Sequence, residues 1–207
     1  MLTLTQTLGF LLAALLITAS PGPDNLMVLS MGMSRGRRQG IAFGVGCALG
    51  CLSHTVLAVV GVSALVAASP LAFTALKWGG GVYLIWLGVQ ALRSQGGSTL
   101  QTGAREQSLR GLFLKGLVAN AINPKVVLFF LSFLPQFVLP AQGGVSLQLG
   151  LLGLLFTAQA LLLFGLLGWF AGSIGAWLQR RPRAGLWLDR LAGTVFVALG
   201  LRMVVAR

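Results

Sequence analysis

Only three acidic residues, one histidine and two cysteines occur among the 207 residues of this chain. Charged side chains make up 9% of the sequence, against about 25% in soluble domains. Each shortage excludes a class of function. One histidine and three carboxylates do not supply the clustered ligands of a transition-metal centre, so no metal and no other cofactor is expected. Cys47 and Cys51 lie four positions apart, on one face of a helix and outside any CxxC pattern. They read as small apolar packing residues, not as a zinc or disulfide pair. No GxSxG-type elbow is there to raise a nucleophilic serine, so the chain is not expected to be an enzyme. Met1 to Leu8 holds no Lys or Arg, which a secretory leader requires, and the segment is read as part of the fold.

What is abundant is apolar sequence. Hydrophobic residues make up 56%, and the mean hydropathy is +0.88. A helix crossing a bilayer needs about 20 apolar residues. Six stretches qualify: Leu4 to near Met33, Gly40 to Ala68, Leu71 to Leu92, Gly111 to Val138, Leu147 to Trp177, and Leu188 to Val205. The expected fold class is therefore an all-α integral membrane protein with six transmembrane helices, one transmembrane domain over 1–207. The fifteen basic residues against three acids give a formal +12, and their placement is ordered. The first connection carries Arg35, Arg37 and Arg38, the third Arg93, Arg105 and Arg110, the fifth Arg180, Arg181 and Arg183. The second, around Ser69-Pro70, and the fourth, from Pro140 to Ser146, carry no charge. Positive charge collects on the cytoplasmic side, so connections one, three and five are placed there and both termini outside. The surplus reports orientation and contact with the lipid bilayer. No basic run stands apart from an apolar stretch, so no nucleic-acid partner is expected.

Two of the six stretches are interrupted at their centres, the first by Ser20-Pro21-Gly22-Pro23-Asp24-Asn25 and the fourth by Asn120-Ala121-Ile122-Asn123-Pro124-Lys125. Proline removes a backbone donor and clashes with the preceding turn, and glycine loosens the chain further. Lipid cannot satisfy the freed backbone groups, so such breaks persist only inside protein or beside a wet cavity. Each half of the chain holds a broken helix, a long helix and a compact helix in that order. The expected organisation is a first three-helix repeat over 1–93, a cytoplasmic Gly/Ser/Gln/Thr linker over 94–110 and a second repeat over 111–207. Offsetting the halves by 112 positions pairs Gly81 with Gly193 and Gly88 with Gly200, while an offset of 101 pairs Pro23 with Pro124 and Asp24 with Lys125. Three spans per half is an odd number, so the halves insert with opposite orientation. That is the inverted-repeat plan of many secondary transporters, with the site at the midplane beside the broken helices.

Ionisable groups inside a membrane are costly and mark functional sites. Here they are Asp24, Lys125 and His54. Asp24 and Lys125 occupy equivalent places after the two breaks. They either face a cavity and hold the ammonium and carboxylate of a small zwitterion, or form an ion pair that closes the bundle. N–H groups freed after each proline are further candidates for a carboxylate. His54 either packs, bonding a carbonyl on a neighbouring helix, or contacts a proton or the substrate, and Gln159 in the fifth span is its candidate partner across the halves. Asn25, Asn120 and Asn123 flank the breaks, where their amides either satisfy freed backbone or touch substrate. Pro21, Gly22, Pro23 and Pro124 are the helix-breaking residues. Lys77, Lys115, Asp189 and Arg190 fall near span ends, where long side chains snorkel. Gly36, Gly40 and Gly44, and Gly46 with Gly50, form rows suited to close helix packing. Trp78, Tyr83 and Trp86 are read as interfacial or as cavity-lining, without a choice between the two. The apolar surface and the glycine rows leave room for a homodimer.

The run Ser20-Pro21-Gly22-Pro23-Asp24-Asn25-Leu26-Met27-Val28-Leu29, followed by Gly32 and Gly36, resembles the first signature of the LysE/RhtB family of amino-acid exporters. Leu76-Lys77-Trp78-Gly79-Gly80-Gly81-Val82-Tyr83-Leu84-Ile85-Trp86-Leu87-Gly88 is similar to that family's third span. Asn123-Pro124-Lys125 with Phe133-Leu134-Pro135-Gln136-Phe137 is similar to its fourth. The resemblance runs over essentially the whole chain. It implies a bacterial inner-membrane exporter of amino acids or related metabolites, driven by the proton gradient or the membrane potential. Exporters of basic amino acids in the family tend to carry a Ser-Asp pair in the second span, where this chain has Ser53-His54. The acid that would meet a second ammonium is missing, which favours a neutral substrate of the homoserine, threonine or leucine type. The alternative is a metal-cation exporter of the same superfamily, which would call for a ligand cluster that one histidine and one mid-membrane aspartate do not make.

Overall fold

A computed structural model describes residues 2–20, 22–62, 69–94 and 107–205. Pro21, Arg105, Glu106, Arg207, the 95–106 stretch of the linker and the 63–68 end of the second span lie outside the described residues. Among the described residues all regular structure is helical. The helices are α1 (Leu4–Ala19), α2 (Pro23–Arg35), α3 (Arg37–Leu57), α4 (Pro70–Arg93), α5 (Leu109–Ala121), α6 (Pro124–Leu128), α7 (Val145–Trp169), α8 (Ala171–Arg180) and α9 (Pro182–Val205). A π turn, Ala58–Val62, extends α3. A π turn, Phe129–Phe133, and a 3-10 turn, Leu134–Phe137, extend α6.

Local chemistry sets the helix starts. Thr3 and Gln6 form a reciprocal capping box on α1. Ser69 and Ser108 accept a backbone N–H at the starts of α4 and α5. Proline is the first residue of α2, α4, α6 and α9, where its missing N–H costs nothing and its fixed φ suits the helix. The prolines that read as breakers are thus also starters. Between Ala19 and Pro23 the chain passes from one helix to the next at an angle of 57°, and between Ala121 and Pro124 at 49°.

By length and apolarity, α3 with its π turn and α7 are each able to cross a membrane, and each bent pair, α1–α2 and α5–α6, qualifies as one further span. Helices α4 and α9 reach 24 residues each, about 36 Å at 1.5 Å per residue, but are less apolar. The expected fifth span, Leu147 to Trp177, is not one helix: α7 ends at Trp169, and Phe170 turns the chain into the separate α8.

Helix α3 is the centre, packed by α2, α5 and α7. A methyl group at Gly46 would lie 2.9 Å from the Leu117 backbone nitrogen, one at Gly116 3.1 Å from the Cys47 nitrogen, and one at Gly168 2.7 Å from the Ile41 nitrogen. The rows containing Gly40, Gly44, Gly46 and Gly50 are therefore packing surfaces. Gly36 departs from that expectation: its φ of 102° makes it the turn between α2 and α3, a backbone shape that costs glycine little. The second close pair is α4 with α9. A methyl at Gly81 would lie 3.1 Å from the Gly200 oxygen, and one at Gly88 2.7 Å from the Gly193 oxygen, so the two helices run antiparallel. Trp78 and Trp86 are half exposed, and Tyr83 stacks on Trp86 at 5.5 Å between ring centroids. These three rings lie on the outer surface and do not line the cavity.

A second polar cluster pins the 138–144 connection. Gln148, buried in the first turn of α7, accepts from the Leu139 N–H at 3.0 Å and from Gln6 Nε2 at 2.8 Å, and donates to the Leu139 and Gly143 carbonyls at 3.0 and 2.8 Å. Gln6 also donates to the Phe137 carbonyl. All four hydrogen-bonding positions of the Gln148 amide are thereby used. Gln148→Leu strands three backbone groups and is expected to lower stability by about 3 kcal/mol, read as an earlier thermal transition of the detergent-purified protein. An unchanged transition would show that water replaces the amide.

Candidate functional site

The two breaks meet around one small cavity of about 20 Å³, room for about one water. From the first break it is lined by Thr18, Gly22, Pro23, Asp24 and Asn25, and from the second by Asn120, Asn123, Lys125 and Val126. Cys51 of α3 forms part of the wall, and Ile17, Phe129, Phe156 and Phe164 make its apolar side. Five of the six residues singled out from the sequence, Asp24, Asn25, Asn120, Asn123 and Lys125, therefore line a single space. The sixth, His54, sits behind it.

The asparagines answer the question of the freed backbone. The last turn of α1 leaves carbonyls without helical partners. Asn25 Nδ2 donates to the Thr18 carbonyl at 2.9 Å and to that of Ala19 at 3.4 Å. Lys125 Nζ donates to the Ser20 carbonyl at 3.2 Å and to Ser20 Oγ at 2.9 Å. Asn123 Oδ1 accepts the Lys125 backbone N–H at 3.0 Å. The second break is thus capped by its own asparagine, whereas Gly22 gives α2 no side-chain cap. Free N–H groups after both breaks were expected; the Asn123 cap takes one of those after Pro124.

The two charges do not bond to each other. Asp24 Oδ2 accepts from Asn120 Nδ2 at 2.8 Å, and Lys125 turns to Ser20, so the ion-pair alternative is not what the side chains adopt. Asp24 remains within electrostatic reach of Lys125. Lys125 stands at the N-terminal end of α6, where the helix dipole disfavours a cation. Its ammonium instead reaches the carbonyl end of α1, passing Gly22, where a methyl would come within 3.1 Å of Nζ, and lies 5.0 Å from the Phe196 ring centroid.

His54 Nε2 donates to the Asn120 carbonyl at 3.0 Å. A carbonyl only accepts, so the ring carries a proton on Nε2. Nδ1 is enclosed and has no partner. Gln159 is not the partner of His54: its Nε2 donates to Thr18 Oγ1 at 2.8 Å. The reason is reach, since His54 is held by the second break from behind while Gln159 faces α1. Reading the sequence missed Ser20, Thr18 and Cys51 as parts of the site. The available signal was a hydroxyl or thiol within an otherwise apolar span, beside a break.

The class is thus set: a polytopic, all-helical membrane protein with a polar cavity between two broken helices. The family model for LysE type translocators matches residues 15–207, and the chain belongs to that family of membrane transporters. A homoserine/homoserine lactone efflux protein of Salmonella typhimurium is 33% identical over 199 residues, covering 96% of each chain. A threonine efflux protein of Escherichia coli is 29% identical over 197 residues, covering 91% of this chain and 92% of its own. An uncharacterized membrane protein of Vibrio cholerae is 33% identical over 201 residues, covering 97% of each. No solved structure matches the chain. Among the described residues no three His, Cys, Asp or Glu side chains cluster as metal ligands would.

Proposed function

We propose that the protein is a secondary exporter of neutral amino acids from the bacterial cytoplasm across the inner membrane, coupled to protons or to the membrane potential. One observation carries the reading: a buried acid and a half-buried base face one cavity where two broken helices meet. An amino-acid zwitterion presents the complementary pair. Asp24 takes the ammonium and Lys125 the carboxylate, with Asn120 and Ser20 as their resting partners. Asn25 and Asn123 satisfy the backbone freed at the two breaks, and His54 anchors Asn120 through its carbonyl. At its present volume the cavity is a closed form, and substrate enters as the walls part.

The same reading makes the two halves, 1–93 and 111–207, inverted repeats giving six crossings, with the linker and connections one and five in the cytoplasm. Reciprocal contacts support it. Under the 112-residue offset, the Gly81–Gly200 contact maps onto the Gly193–Gly88 contact. Lys125 reaching Ser20 is mirrored, one position off the 101 offset, by Asp24 reaching Asn120.

The test is efflux from cells preloaded with a panel of labelled amino acids, with and without the protein. Faster loss of neutral amino acids such as threonine, homoserine or leucine is the expected result, and no difference across the panel would defeat the proposal. Repeating the assay at several external pH values separates proton antiport, which tracks the pH difference, from export that follows the membrane potential alone.

A further inference from the structure

One polar pair at the cavity is left over by this account. Thr18 lines the wall, and Gln159 of α7 binds it through Nε2 at 2.8 Å. Thr18 Oγ1 accepts that bond and keeps its own proton to donate. Gln159 Oε1 is enclosed and has no hydrogen-bond partner. A buried amide oxygen without a partner is uncommon and calls for an explanation. Neither group is needed to seal the first break, since the Thr18 carbonyl is already taken by Asn25. Gln159 lies one turn from Phe156, a wall residue of the same helix. The apolar part of the cavity wall, on which the Thr18 hydroxyl stands, is formed by Ile17, Phe129, Phe156 and Phe164.

Resting on the exporter reading, we infer that Thr18 and Gln159 are the specificity-determining pair for the substrate side chain, selecting a hydroxyl-bearing amino acid over an apolar one of equal size. With the ammonium at Asp24 and the carboxylate at Lys125, the side chain points to the phenylalanine-rich wall, where Thr18 stands at the surface and Gln159 is bonded directly behind it, within reach once the walls part. A substrate hydroxyl donates to Gln159 Oε1 and accepts from Thr18, which completes both groups. An apolar isostere leaves them unpaired. Sites built to bond a hydroxyl discriminate strongly against analogues lacking one, for this reason. The aromatic remainder of the wall packs the methylene or methyl groups of such a side chain.

Inside-out vesicles from cells making the full chain test this with two isosteric pairs, threonine against valine and homoserine against norvaline. The wild type is expected to favour the hydroxyl member of each pair by about tenfold or more, the worth of roughly one hydrogen bond. Thr18→Val and Gln159→Leu are each expected to reduce that ratio by about tenfold while valine and norvaline continue to be carried. Thr18→Ser, which keeps the hydroxyl, is expected to retain the preference. Unchanged ratios in both disruptive variants would overturn the inference and reduce the pair to a packing contact between α1 and α7. Equal uptake of both members by the wild type would overturn it without any variant having to fold. Wild-type vesicles that carry leucine but none of the four would overturn this inference alone, and vesicles that carry no member of the neutral panel above the empty control would defeat the exporter reading and this inference with it.

Discussion

Asp24→Asn and Lys125→Met are each expected to lower amino-acid efflux by about 100-fold while the protein still reaches the membrane. A hydrogen bond to a charged group contributes about 1.5–3 kcal/mol, and every 1.4 kcal/mol is about tenfold. Loss of one charged contact to a zwitterion therefore removes most of the transported flux. The aspartate variant is a clean one. An asparagine oxygen can still accept from Asn120 Nδ2, now bonded to Asp24 at 2.8 Å, so the resting structure keeps its bond and loses only the charge. Lys125→Met removes the ammonium but retains the length of the side chain, leaving Ser20 to find water in its place. Quantifying protein in the membrane and its monodispersity in detergent separates lost transport from lost folding. Normal efflux by both variants would end the assignment of the two charges to substrate.

The second large effect is structural. Gly46→Val and Gly116→Val are expected to cost about 3 kcal/mol or more, at the upper end for overpacking, and to yield little folded protein. At Gly46 the first added carbon meets the Phe113 carbonyl oxygen and lies 2.9 Å from the Leu117 nitrogen, and at Gly116 it meets the Phe43 carbonyl oxygen. Those obstacles are backbone, which cannot rotate aside as a side chain does, so α3 and α5 have to separate. Separation would carry Asn120 away from Asp24 and His54, because Gly50 packs against Asn120 on the same seam. Gly165→Ala serves as control. Nothing lies within 4 Å of a methyl there, and a helical alanine is favoured over glycine by about 0.5–1 kcal/mol. Thermal transitions of the detergent-purified variants measure both; an equal shift for Gly46→Val and Gly165→Ala would refute the seam.

Much of this arrangement was legible because membranes make polar residues conspicuous. Asp24, Lys125 and the asparagines stand out in apolar sequence, and proline beside them marks a change of helix direction whatever the tertiary fold. Their convergence on one cavity followed from that logic. What did not follow was partnership. Residue type does not say that Lys125 bonds to Ser20, since that bond depends on where the α1 carbonyls point after the first break. Nor does it say that Gln159 faces Thr18 while His54 faces the Asn120 carbonyl, which is set by the rotation of α7 and α3 about their axes. Hydrophobicity also hid the end of α7 at Trp169, because Phe170 and Ala171 are as apolar as the helix before them. Gly36 looked like its neighbours in a row of small residues; only its positive φ separates a turn from a packing surface.

The resting partners of the two cavity charges have a consequence for the proposed cycle. Asp24 leans on a neutral amide and Lys125 on a hydroxyl and a carbonyl, so the unloaded carrier is not locked by a bridge between opposite charges. Cargo displaces neutral groups, which is a small exchange, and its release lets the same groups return at once. A carrier wired in this way has no bridge between opposite charges to break on loading, so in the proposed export the cost of taking up cargo falls on parting the cavity walls, not on freeing Asp24 and Lys125.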